Sequence, residues 1–281
     1  FRSMQILSEN GILLTPSSER AAQCLACMAK FSARREKLAL ARPLSAIHVD
    51  AAAARTLIEG VKQEGRKNLL EMEARKLLSL YGIPLPPAKL AKTPEEATAA
   101  ASAVGFPVAL KIVSPEIIHK SDAGGIILNL GDEKAVREGF AAVVTNAGKV
   151  SHPEKILGVL VAPMAQKGQE CIVGMIRNPQ FGAVLMFGLG GVFVEVLKDV
   201  SFRVAPPSDL DLEEMIHEIK GYPLLAGVRG QKPKDTAILK EILQKVDQLA
   251  TDHPEIQEVD INPIIVHEQG ASVVDVRIII A

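Results

Sequence analysis

The chain has 281 residues, 48% of them apolar, with 32 basic against 33 acidic side chains and a net charge of −1. That length allows one or two cores plus extras, and the near-neutral balance offers no electrostatic handle to nucleic acid or an anionic membrane. Three cysteines make no disulfide framework and point to a reducing, cytoplasmic setting, and no secretory signal opens the chain.

The first predicted elements are a short strand over Gly11-Ile12-Leu13-Leu14 and a helix that opens at Pro16-Ser17-Ser18-Glu19 and runs to about Arg35. Ser17 or Ser18 can cap that helix, and Ala21, Ala22, Leu25, Met28 and Ala29 form an apolar stripe at helical spacing. One strand and one helix cannot close a core, so residues 1–40 are expected to end a preceding domain, with Phe1 a cut through a longer polypeptide. Cys24 and Cys27 have redox or metal spacing, but no second ligand pair accompanies them. Residues 41–65, with Pro43 and the alanines 51–54, read as a linker with a helical portion.

A helix is predicted from Asn68 to Tyr81, stopped by Gly82 and Pro84. Next come a helix after Thr93-Pro94, a strand Val108–Val113, a glycine loop, a strand Ile126–Leu130 and a helix from Asp132. Strand-like runs follow at 156–163, 170–176, 182–187 and 192–197, helices at about 209–219 and 234–250, and strands at 256–266 and 272–280. The charge-free stretch Phe181–Val194 is too short, and too broken by glycine, to span ~30 Å of hydrocarbon; it reads as a buried strand pair. The fold class is α+β with antiparallel hairpins, not a doubly wound sheet.

Chemistry concentrates at a few places. A turn centred on Glu268 and Gln269 would set Asn262 opposite Asp275 and Asp260 opposite Arg277. Opposed Cβ atoms lie ~4.5–5.5 Å apart, so Asn262 and Asp275 would offer two oxygens at one point, a pattern that suits Mg²⁺ beside phosphates; Asp260 reads as the ion-pair partner of Arg277. Lys111, inside the apolar run Pro107–Val113, must find an anion such as phosphate or reach the surface. His119-Lys120-Ser121-Asp122-Ala123-Gly124-Gly125 is either a glycine turn with a solvated histidine or a phosphate loop. In the second reading the Gly124 and Gly125 amides and Lys120 face phosphate, and His119 is a nucleophile toward phosphorus. Glu170 and Glu195 stand within apolar strands and are candidates for ribose, metal or a basic partner. Met186-Phe-Gly-Leu-Gly-Gly191 lacks a following helix, so it reads as a tight crossing, not a dinucleotide fingerprint.

Leu80-Tyr-Gly-Ile-Pro84, Lys111-Ile-Val-Ser-Pro115, Ile118-His-Lys-Ser-Asp-Ala-Gly-Gly125, Val173-Gly-Met-Ile-Arg177, Phe187–Val196 and Asp260-Ile-Asn-Pro263, in this order, resemble the β portion of ADP-forming acetyl- and acyl-CoA synthetases. The resemblance runs from about Arg66 to Ile280. It implies an ATP-grasp fold whose two lobes clasp nucleotide: residues 84–164 as the smaller lobe, 66–83 with 165–281 as the larger. It also implies ATP or ADP as substrate, Mg²⁺ as cofactor and interconversion of acyl-CoA, ADP and phosphate with acid, CoA and ATP. By the same resemblance His119 relays the phosphoryl group as a phosphohistidine, Lys111 is the strand lysine, and Asn262 and Asp275 hold magnesium. Glu170 falls at a nucleotide-site glutamate and Val161, Ala162 and Met164 at the adenine hinge, with Ala162 replacing a hinge glutamate. Residues 1–40 resemble the end of the CoA-binding, acyl-phosphate-forming α portion, so the expected partner is that portion fused upstream, and homo-oligomerisation is left open. The rival readings are an ATP-grasp ligase releasing a free acyl phosphate and a nucleotide-sensing module without turnover.

Overall fold

The computed structural model describes every residue except Phe1, Leu13, Ala41, His48, Ile118, His119, Val192, Phe193, Glu195 and Arg229, and the side chains of Leu38 and Leu40. The chain divides into two units, residues 1–43 with 208–210, and residues 44–207 with 211–281.

The first unit carries helices α1 (Arg2–Glu9) and α2 (Ser18–Leu40). The strand expected over Gly11–Leu14 is not there among the described residues. Gly11, at φ 74°, instead closes α1: its amide bonds Ser8 O at 3.0 Å and Ile12 N bonds Leu7 O at 3.0 Å, the left-handed glycine arrangement that ends helices. Ser17 caps α2, its Oγ accepting from Arg20 N at 3.2 Å. Leu25, Met28 and Phe31 are exposed on α2, and Cys24 and Cys27 are free and exposed.

The second unit contains two apolar cores. The smaller lies under a four-stranded antiparallel sheet in the order β1 (Lys89–Ala91), β4 (Gly158–Pro163), β2 (Val108–Val113), β3 (Ile126–Leu130), against helices α5 (Pro94–Val104) and α6 (Glu133–Ala147). Thr93 and Asp132 cap these helices through Glu96 N and Ala135 N. The larger sheet runs β10 (Val276–Ile280), β8 (Ile256–Val266), β5 (Gln169–Asn178), β6 (Gly182–Leu189), β7 (Val200–Val204), with β9 (Ala271–Val273) also on β8. Its core draws on α3 (Ala51–Gln63), α4 (Glu71–Leu80), α7 (Asp209–His217), α8 (Tyr222–Ala226) and α9 (Thr236–Asp252).

Four expectations need correction. The helical portion expected within the linker is there as α3, but its Ala54, Ile58 and Val61 are buried in the larger core, so it is packed structure and no linker. Helix α4 begins three residues late because Leu69 N bonds Ile278 O at 3.0 Å, which ties the preceding segment to β10. The strand expected over 192–197 is displaced to β7: Gly191 turns the chain at φ 62°, Val194 is helical, and Val196 and Leu197 lie exposed in a turn. The closing strand is broken at Val274 and Asp275 into β9 and β10.

Across that break the pairing keeps one register. Arg277 faces Asp260 and Val276 faces Ile261 on β10, while Ile264 faces Val273 on β9. Asn262 N donates to Asp275 O at 3.2 Å in the gap. Asn262 and Asp275 therefore stand opposite one another where the hairpin steps out of its ladder.

Candidate functional site

Strand β2 is buried along its whole length, and Lys111 projects from it with only 4% of its surface exposed. A buried ammonium needs anionic or carbonyl partners, and Lys111 has three: Glu71 Oε1 at 3.1 Å, Val274 O at 2.8 Å and Asp275 Oδ1 at 3.0 Å. The surface-reaching alternative is thereby removed. Lys120 joins the same carboxylates, through a short contact to Glu71 Oε2 and a 3.3 Å contact to Asp275 Oδ1. Both lysines come from the smaller sheet and its loop, whereas both carboxylates come from elements of the larger core.

Burial pulls the Lys120 ammonium down, but Glu71 and Asp275 outweigh it and hold it above the ordinary lysine value. Burial pushes the Asp275 carboxyl up, and Lys111 and Lys120 more than offset this and hold it below the usual carboxylate range. Arg75, one turn beyond Glu71 on α4, is buried, donates to Pro86 O and feels both carboxylates; burial lowers it from the ordinary arginine value. Among the described residues, the buried Lys111 and Arg75 and the half-buried Lys120 thus surround two carboxylates.

Beside this cluster opens a cavity of about 460 Å³, lined among others by Glu71, Lys120, Asp260, Asn262, Asp275 and Arg277. Asp260 turns out to be a poorer partner of Arg277 than its register suggests. Arg277 contacts Glu258 closely and Asp260 Oδ2 only at 3.9 Å, which leaves Asp260 Oδ1 buried without a partner. Burial raises the Asp260 carboxyl, with Arg277 acting against it. Asn262, Asp275 and Asp260 are the oxygens that could hold a hard cation. Among the described residues no group of three or more His, Cys, Asp or Glu could hold a metal ion, so this chain offers a partial shell.

The remaining candidates fall elsewhere or do something different. The amides of Gly124 and Gly125 are not free donors: they bond Ser121 O at 3.0 Å and Lys120 O at 2.8 Å. The glycines instead permit close packing, since a Cβ on Gly125 would sit 2.5 Å from Ile112 Cγ2. They build the loop that aims Lys120, and the expectation of phosphate-binding amides there is corrected. Val161 and Ala162 pair with Leu110 and Ala109 within the smaller sheet, and Met164 N is taken by Pro107 O at 2.9 Å. None of the three lines the cavity. Glu170 is exposed, so its place in an apolar strand carries no burial cost; its carbonyl accepts from Gly190 N at 2.9 Å. His119 and Glu195 lie outside the described residues. Glu71 and Arg75 were not singled out by sequence, because acids in a first helical turn and arginines within helices are ordinary; only the fold shows what surrounds them.

The ATP-grasp domain family matches residues 60–280. The β subunit of ADP-forming acetate–CoA ligase I from Pyrococcus furiosus is 52% identical over 229 residues, covering 82% of this chain and 98% of that subunit. The chain belongs to the ADP-forming acetate–CoA ligase family. In this ligase family the ADP-forming 4-hydroxybutyrate–CoA ligase of Nitrosopumilus maritimus is 43% identical over 278 residues, 98% of this chain but 39% of that longer one. The dinucleotide-forming acetyl-coenzyme A synthetase 1 of Candidatus Korarchaeum cryptofilum, solved with coenzyme A, Ca-AMPCP and HgCl⁺, superposes with TM-score 0.78 at 47% identity over 81% of this chain and 100% of its own. A second complex of that synthetase, at TM-score 0.72 and 45% identity, holds coenzyme A and Mg-AMPPCP, with its phosphohistidine segment pointing towards the nucleotide-binding site. The ligase fold described above is thus an ATP-grasp fold of mixed helices and antiparallel sheets.

Proposed function

We propose that this chain is the nucleotide-binding and phosphoryl-transfer part of an ADP-forming acyl-CoA synthetase, interconverting acyl-CoA, ADP and phosphate with acid, CoA and ATP through a phosphohistidine at His119. The observation that carries the reading is the convergence of Lys111 and Lys120 on Glu71 and Asp275 beside a cavity also lined by Asn262. Phosphoryl transfer asks a protein mainly for positioning and charge neutralisation, and Lys120 at the cavity wall, with Lys111 on the same two carboxylates, can supply both. ATP and ADP are the substrates. Asn262 and Asp275 are the residues that would hold Mg²⁺, whose charge on phosphate oxygens is the chemistry the ion would add.

The resemblance of the His119 loop to a phosphohistidine segment supports the relay, because Lys120 immediately follows His119 and reaches the cavity. Neutral imidazole is well populated near pH 7 and needs little activation to attack phosphorus. In that step a nitrogen–phosphorus bond forms at His119 as the bond from the donor oxygen to phosphorus breaks; ADP then accepts the phosphoryl group and frees the imidazole. Val161, Ala162, Met164 and Glu170 stay as proposed adenine and ribose contacts. The single-chain relatives, which match nearly the whole chain, support a CoA-binding, acyl-phosphate-forming portion as the partner, fused upstream. No described helix is long and apolar enough to cross a membrane, and a cytoplasmic location is part of the proposal.

Calorimetry with ADP and ATP, with and without Mg²⁺, tests the reading. Binding that strengthens with Mg²⁺ is expected; no binding at millimolar nucleotide would overturn it. Phosphorylation from γ-labelled ATP is expected to give an acid-labile, base-stable label at His119 that ADP discharges, and label mapping elsewhere would remove the relay.

A further inference from the structure

The four charged groups between the two sheets are not equivalent. Asp275 keeps 36% of its side chain exposed, whereas Glu71 keeps 1%. Both carboxylates border the cavity, but Asp275 is the more accessible to an incoming ligand; Glu71 is held at the start of α4, with Lys111 on one oxygen and Lys120 on the other. We infer that Glu71 is a positioning residue. It is the permanent counter-ion that fixes both lysines across the gap between the cores, so that Asp275 can leave them for a divalent cation when nucleotide enters. The inference rests on the nucleotide reading above and adds a division of labour between two carboxylates that the relatives' names do not assign.

The physical case is one of competition. Lys111 and Lys120 both contact Asp275 Oδ1, at 3.0 and 3.3 Å. The buried Lys111 and the half-buried Lys120 need anionic partners, since an unpaired charge out of water is costly. With Glu71 in place, withdrawal of Asp275 leaves each lysine one carboxylate oxygen, and Lys111 also keeps Val274 O at 2.8 Å. Without Glu71, Asp275 would be the lysines' one carboxylate among the described residues, and a metal would have to take it from them. The lysines and the metal therefore compete for Asp275, and Glu71 sets the balance. Arg75 adds a third positive field at the same carboxylates and deepens the need for Glu71.

The test measures, in the 281-residue chain, the ratio of ADP dissociation constants in chelator and in saturating Mg²⁺. That ratio reports metal coupling alone and is read by calorimetry, not by turnover. Glu71→Gln is expected to lower the ratio by about tenfold, the scale of one charge-assisted contact, with metal-free affinity kept or tightened by the extra positive charge. Lys120→Gln relieves the competition from the other side. It is expected to raise the ratio even as overall affinity falls, and it keeps the test open should Glu71→Gln not fold. Opposite movement of the two ratios supports the inference. Equal loss of metal-free and metal-dependent binding in Glu71→Gln, or a Lys120→Gln ratio that is unchanged or lower, overturns it. Wild-type chain that shows no Mg²⁺ enhancement fails at the earlier reading, so the two failures are distinguishable.

Discussion

Asp275 stands at a cavity edge, where Lys111 and Lys120 hold its carboxyl below the usual carboxylate range. Asp275→Ala is expected to remove most of the Mg²⁺ enhancement of ADP binding while the fold survives, with a stability loss of about 1–2 kcal/mol from the contacts given up by two lysines. Calorimetry and thermal melting together check this; a variant that binds Mg-nucleotide normally would refute the metal assignment. Asp260→Ala is expected to disturb the metal dependence less. Its Oδ1 is buried without a hydrogen-bond partner, and Arg277 leans on Glu258, so little native pairing is lost. His119→Ala should abolish turnover of the assembled synthetase while Mg-nucleotide affinity stays near wild type, since in the proposed relay the imidazole acts on phosphorus and not on binding.

Elements place these residues, and their pattern shows what a sequence can reveal. The hairpin register could be worked out because turn and strands are local: a two-fold alternation around Glu268 and Gln269 fixes which side chains oppose, and the pairing of Arg277 with Asp260 follows. Lys111 announced itself because a cation in an apolar strand demands a partner. Which partner it takes could not be read, since Glu71 and Asp275 are 40 and 164 positions away along the chain. Gly11 and Gly191 misled for a related reason. Apolar residues beside them suited strands, and the left-handed glycine turn decided otherwise. Gly125 allows a direct test of the loop. Gly125→Ala would place a methyl against Ile112 Cγ2, and it is expected to weaken ADP binding several-fold through Lys120 with no change in ligand chemistry.

Helix α9 gives a pH prediction. Asp247 is buried on it with Oδ1 unpartnered, and burial pushes its carboxyl up to about 6. A raised carboxyl means the native chain holds a proton that the unfolded chain has already lost, so stability falls as pH rises from about 4 to about 6 and the cost persists above that. Asp247→Asn is therefore expected to stabilise the fold at pH 7 by about 1–3 kcal/mol and to change little at pH 4. Denaturant melts at the two pH values decide it; an equal effect at both would show that ionisation is not the source.

At the scale of the whole molecule, the chain covers nearly all of a β subunit but 39% of a single-chain relative. Alone it is expected to bind Mg-nucleotide, with melting temperature rising with ligand concentration as mass action requires, and to show no acyl-CoA synthetase turnover. Coupled assays with and without an added CoA-binding partner check this, and turnover by the chain alone would contradict it.

The larger sheet also imposes an order on biosynthesis. Strand β10 is stitched back to the segment before α4, with Ile280 N on Lys67 O at 2.7 Å and Leu69 N on Ile278 O at 3.0 Å, while Asp275 meets a lysine 164 positions earlier. A chain emerging N-terminal end first from the ribosome can complete the smaller core early, because β1–β4 and α5–α6 are contiguous in sequence. Lys111 and Lys120 must then wait, without Asp275, until β8–β10 appear. A nascent chain stalled before β8 would fold its small sheet yet retain no nucleotide, so ligand capture can serve as a timestamp for the closing hairpin's arrival.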